Sequence, residues 1–211
     1  MRWDVAGRKE VGGVAAGTID HTLFWLSPDG TLLASGSWTP GDPLRLFDLA
    51  ALKELKPLSG FKAAFSADGR RLGVSGWDGA YRVYDTHSWA AVSPELKPGG
   101  VAGALEFSPD GRLLVTGTAA GQVSVWDTAT WTSTRPFEAH SGAIHTLLFS
   151  PDGRTLASSG KDPVVKLWNT ATWRLSQTLK SGEVTRMQFT PDGTTLITGG
   201  PGPSIRFWRA P

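Results

Sequence analysis

The chain of 211 residues has no cysteine, only two methionines and two tyrosines, and no unbroken apolar run long enough to cross a bilayer as a helix. Without cysteine there are no disulfides and no thiolate metal sites, although this alone fixes no compartment. Without an apolar run of about 18 residues there is no helical membrane span. The opening Met1-Arg2-Trp3-Asp4-Val5 lacks the continuous apolar segment of a secretory leader, so a soluble, cytoplasmic protein is expected. Lys and Arg total 21 against 19 for Asp and Glu, a formal net charge of +2, and the basic residues are scattered. That balance gives no footprint for nucleic acid and none for a membrane surface. The four histidines are dispersed, with His140 and His145 five apart and the others in distant segments, which does not make a metal set. No alternating Asp-x-Asp calcium loop and no glycine-rich phosphate loop occurs, so neither a metal nor a cofactor is expected.

Glycine (26), proline (14) and tryptophan (10) are plentiful, and they recur in phase. Five times an apolar stretch ends in the same kind of turn: Leu26-Ser27-Pro28-Asp29-Gly30, Phe65-Ser66-Ala67-Asp68-Gly69, Phe107-Ser108-Pro109-Asp110-Gly111, Phe149-Ser150-Pro151-Asp152-Gly153 and Phe189-Thr190-Pro191-Asp192-Gly193. The glycines advance by 39, 42, 42 and 40 residues, a period that marks a repeat architecture. In four of the turns proline pre-sets φ, with Ala67 in its place in the second, and in each turn aspartate caps the local backbone and glycine takes the left-handed conformation that a hairpin turn with a bulge requires. Around the fourth turn, Ala143 to Phe149 and Arg154 to Ser159 alternate at period two as a pair of strands. Gly160-Lys161-Asp162-Pro163 then leads to a third strand, Val164 to Asn169, and a fourth runs from Trp173 to about Leu179. Four short antiparallel strands in about 40 residues describe one blade of a propeller.

An aromatic-acid pair follows each turn by about 16 residues: Trp126-Asp127, with Trp3-Asp4 at the start and weaker versions at Trp168-Asn169, Tyr84-Asp85, Phe47-Asp48 and Trp208-Arg209. On these residues the chain resembles the WD-repeat family of β-propellers over essentially its whole length. The expected fold is all-β: a propeller of about five four-stranded antiparallel blades in one domain, 1–211, with repeat units near 5–48, 49–85, 86–127, 128–169 and 170–209. Trp3 and Trp208 lie 205 residues apart, five periods of 41, so the two ends of the chain are complementary in phase. The resemblance implies that an N-terminal strand, Val5 to Val11, pairs beside Ser204 to Trp208 and completes the last blade. A closed five-bladed ring, an open arc that self-associates, and a part of a larger propeller all fit the sequence.

His140, Ser158 and Asp162 look like a nucleophilic triad. The resemblance implies instead a structural hydrogen-bond chain with Trp168, because Ser158 falls inside a strand rather than on a strained elbow. Trp89, Trp131 and Trp173 recur in phase after Asp/Asn-led turns and are expected to pack between blades, whereas Trp38 and Trp77 sit in loops between second and third strands. Loop tryptophans are natural binding anchors. Family contact positions carry over to Trp77 and Lys161 beside the turn aspartate, and to His145, Thr185 and Arg186 early in a first strand. The expected function is therefore a non-enzymatic scaffold whose rim, with Trp38 added to these residues, binds a protein or peptide. Alternatives are a regulatory segment of a larger protein, since the repeats resemble prokaryotic WD-repeat regions sometimes fused to kinase domains, and an enzyme with a central-channel site. The innermost strands, read as Gly60-Phe61-Lys62-Ala63 and Val101-Ala102-Gly103-Ala104, are expected to be mainly apolar or small, which disfavours that enzyme.

Overall fold

The computed structural model describes residues 2–4, 9–12, 23–134 and 136–209. All regular structure among these residues is strand, in five radial sheets and one separate hairpin. Blade one comprises β3 (Leu23–Leu26), β4 (Leu32–Gly36), β5 (Arg45–Asp48) and β6 (Lys53–Glu54), after a hairpin of β1 (Arg2–Asp4) and β2 (Lys9–Gly12). Blade two has β7 (Lys62–Phe65), β8 (Arg71–Ser75) and β9 (Tyr81–Asp85). Blade three has β10 (Ala102–Phe107), β11 (Leu113–Thr118), β12 (Gln122–Asp127) and β13 (Phe137–Glu138). Blade four has β14 (Ile144–Phe149), β15 (Thr155–Gly160), β16 (Val164–Asn169) and β17 (Arg174–Lys180), and blade five has β18 (Arg186–Phe189), β19 (Thr195–Gly199) and β20 (Ile205–Arg209). The result is a five-bladed β-propeller.

The repeated turn works as its composition dictates. In blade four the Ser150 hydroxyl donates to Asp152 Oδ1 at 2.6 Å, the same carboxylate oxygen accepts the Arg154 amide at 3.1 Å, and Gly153 sits at φ +70°. Hydrogen bonds from the neighbouring hydroxyl and amides hold the turn carboxylates of all five repeats below the usual aspartate range.

Two sequence expectations need correction. Blade two has three strands rather than four: where a fourth would run, only the isolated bridges Tyr81↔Leu96 and Tyr84↔Ala91 form. There the Ser93 hydroxyl oxygen accepts the Val83 amide at 3.0 Å, standing in for a ladder bond just before Pro94. The expected pairing of Val5 to Val11 with Ser204 to Trp208 is also not formed by the described residues. Lys9–Gly12 pairs with Arg2–Asp4 in a hairpin of its own, and β20 has β19 as its single neighbour; residues 5–8 lie outside the described part. A short local hairpin closes a much smaller loop than a strand returning from the far end of the chain.

Each successive pair of blades buries one apolar seam. Leu44 and Leu46 of blade one meet Leu72 and Val74 of blade two, and Tyr81 and Val83 meet Leu105 and Phe107. Val123 and Val125 meet Leu147 and Phe149, and Val165 and Leu179 meet Val184 and Leu196. Among the described residues no such cluster joins blade five to blade one. The positions that fill seams elsewhere are instead open: Phe24 and Leu26 on the first blade are 60% and 58% exposed, and Ile205 and Phe207 on the last are 68% and 66% exposed.

Candidate functional site

Two groups of side chains carry polar chemistry. In blade four, His140 Nδ1 lies 2.5 Å from Asp162 Oδ1, His140 Nε2 lies 2.8 Å from Ser158 Oγ, and Trp168 Nε1 donates to the same Ser158 Oγ at 2.9 Å. The structure thus brings together the four residues singled out in sequence. Burial lowers the histidine pKa against the opposing pull of Asp162, so the ring is neutral at pH 7. Burial raises the Asp162 pKa, but hydrogen bonds from His140 and the Ser141 amide outweigh it and keep the carboxylate charged. Trp168 donates to Ser158, Ser158 to Nε2, and Nδ1–H to Asp162, so every polar atom of the chain is satisfied. Ser158 is wholly buried and its oxygen is engaged on both sides, which suits a structural tie and not a nucleophile. Elsewhere half of the device survives, as Trp126 donating to Thr116 at 2.9 Å and Trp208 to Thr198 at 3.0 Å. In blade two, Asp78 pairs instead with Arg82, which holds its carboxyl down at about 2.

The second group lies on the axis. The first strands of all five blades surround a cavity of about 500 Å³. Its lining is mainly apolar or small, as expected for the first strands, but it also carries Lys62, Glu106, His145, Glu183 and Arg186. Lys62 and Arg186 share one register: with Leu23, Ala104 and Thr146, each stands three residues before the residue that ends its first strand, and that position lines the cavity, whereas Glu106, His145 and Glu183 enter it from other offsets. For the two cations the signal lies in this shared offset and is invisible when each strand is read alone. Lys62 Nζ donates to the carbonyl oxygen of His145 at 3.2 Å and lies 5.0 Å above the Trp38 ring, so one side chain of blade two reaches both blade four and blade one. Burial, with a smaller contribution from the positive charge of Arg186, lowers the Lys62 pKa to about 8. Burial alone pushes Glu106 up to about 8, so this carboxyl is largely protonated at neutral pH. His145 Nδ1 is buried with no hydrogen-bond partner among the described residues.

The remaining rim residues separate. Trp38 lines the cavity and remains 54% exposed, in a tilted contact with Phe61. Trp77 is packed: its ring stacks on Phe61 at 4.2 Å and its Nε1 donates to the Asp42 carbonyl of the neighbouring blade at 3.3 Å. Thr185 lines the cavity beside Arg186, and its carbonyl accepts Thr146 Oγ1 at 3.1 Å, tying blades four and five. Lys161 is exposed and stands apart from the cavity lining. Trp89, Trp131 and Trp173 pack against seams, each with φ between 54° and 57°. The preceding Asp or Asn orders that left-handed turn, as where Asp85 accepts the Ser88 amide at 2.7 Å. No group of three or more potential metal-ligating side chains occurs among the described residues, and no helix there is long and apolar enough to cross a membrane.

Compared with known proteins, residues 98–127, 131–169 and 173–209 match the family described as WD domain, G-beta repeat. No curated protein matches the chain.

Proposed function

The chain belongs to the WD-repeat family, and from that membership we propose that it is a non-enzymatic interaction scaffold that docks a protein or peptide where the central cavity opens beside Trp38. Propellers of this family are typically scaffolds that bind proteins. The observation that supports the docking surface is Trp38 itself, a large ring left 54% exposed against Phe61 and under the Lys62 ammonium. Aromatic anchors flanked by cations dominate interface energetics. Trp77, held by Phe61 and Asp42, supports that surface from behind. Selection of displayed peptides on the immobilised protein tests the reading. Peptides enriched by the native protein should lose at least tenfold in affinity on Trp38→Ala, with the melting temperature unchanged, and equal enrichment by both proteins would reject this surface.

The open faces of the terminal blades favour a second reading, self-association. Ile205 and Phe207 of one copy occupy the positions that elsewhere pack onto a following blade, and Phe24 and Leu26 of another occupy those that pack onto a preceding one. Light scattering should show mass rising with concentration for the native protein and a constant monomer mass for Ile205→Lys/Phe207→Lys. A monomer at all concentrations in both would dismiss it.

A further inference from the structure

Resting on that docking surface, we propose that the central cavity is a receptor for a carboxylate, so that the docked segment is an acidic peptide inserting an Asp or Glu side chain between Lys62 and Arg186. The charge distribution carries this. Lys62 from blade two and Arg186 from blade five converge near enough to feel each other's charge, although neither has a carboxylate partner among the described residues. Two like charges gathered in a partly dry cavity are unfavourable in the empty protein and become favourable once an anion lies between them. Of the acids that face the cavity, Glu106 is largely protonated at neutral pH, and Glu183 forms no ion pair with either cation among the described residues. Lys62 uses one of its three N–H groups on the His145 carbonyl oxygen, which leaves donors for a ligand. Arg186 uses Nη1 on the Thr185 carbonyl at 3.0 Å and is otherwise exposed. His145 supplies a further unsatisfied buried nitrogen on the same lining. Trp38 beside Lys62 provides the apolar wall along which the peptide backbone lies.

Tryptophan fluorescence of the full chain, titrated with the peptide acetyl-Gly-Glu-Asp-Glu-Gly-amide, tests the proposal. The expected result is a saturable change that is absent with acetyl-Gly-Gln-Asn-Gln-Gly-amide and that weakens at least tenfold in 0.5 M NaCl, as a charge-assisted contact must. Lys62→Met and Arg186→Gln should each weaken binding at least tenfold. Lys62→Met removes a buried amine and Arg186→Gln changes an exposed side chain, so circular dichroism and melting temperature should report folded proteins for both. Equal binding of the neutral peptide, or unchanged binding in both variants, overturns the proposal. Inorganic phosphate binding as tightly as the acidic peptide also overturns it, because the site would then hold a free anion without using the peptide. If Trp38→Ala abolishes peptide selection while Arg186→Gln leaves it intact, the docking surface stands and the carboxylate receptor falls.

Discussion

Replacing Gly121 with alanine is expected to lower the free energy of unfolding by on the order of 3 kcal/mol, far more than the same change at Gly111. Gly121 sits at φ +85°, and an added Cβ would lie 2.0 Å from the His140 carbonyl oxygen and 2.8 Å from that of Gly142. Both obstacles are backbone, so no rotamer change relieves them. The Gly121 carbonyl also accepts the amides of Ala139 and His140 at 2.9 and 3.1 Å, and any retreat of that segment pulls on the His140–Asp162 pair. Gly111 has a similar φ of +69° with nothing within 4 Å of the added carbon, so alanine there carries only left-handed strain, about 1 kcal/mol. Urea unfolding of the two variants separates the effects. Equal midpoints would mean that the close approach of the turn before β12 to the His140–Gly142 backbone is not what requires glycine.

Glu106→Leu is expected to stabilise the protein, and increasingly so with rising pH. Burial raises the folded-state pKa of this carboxyl from 4.5 to about 8. Relative to the unfolded chain, which loses its proton near 4.5, the contribution of Glu106 is fully present below that pH and is lost as pH rises towards 8. Leucine has no such loss, and its shape suits the place, since Leu148 occupies the equivalent register in the next blade, paired with Ala157 as Glu106 is with Val115. The stability difference between variant and native protein should therefore grow by about 2 kcal/mol between pH 5 and pH 8, a figure reduced from the full linkage value because the side chain keeps some contact with water. Lys62 runs the other way but in a different window, between about 8 and 10.5, and His140 weakens the fold only as pH falls below 6.5, in both proteins alike. A difference that stays constant from pH 5 to pH 8 would show that Glu106 ionises freely in the folded state.

Much of this architecture can be read from residues with strong local rules. The five turns of hydroxyl residue, Pro or Ala, Asp and Gly need no tertiary information, because hydroxyl, carboxylate and left-handed glycine lie within four residues of one another, and every blade forms where they fall. The blade-four tie is legible because its members stand at fixed offsets from such a turn. The axial cluster is not legible in the same way. Lys62, Glu106, His145 and Arg186 are separated by about 40 residues each, and only the radial arrangement of the sheets places them around one cavity. Trp38 and Trp77 make the same point from opposite sides: similar loops, yet Phe61 and the Asp42 carbonyl hold one ring down while the other stays exposed. The missing pairing at β20 belongs to the same class, because phase along the chain states which strands are compatible and not which loop closes at least cost in entropy.

The four seams have a mechanical implication. Apart from the Lys62 hydrogen bond that crosses from blade two to blade four, the apolar bracing of each blade comes from the blades before and after it in the chain, so cohesion is handed along like tension through the links of a bracelet whose clasp, within the described residues, is unfastened. Blades three and four, with a full set of strands and a braced neighbour on each side, form the keystone, and the outermost blades are where loosening begins.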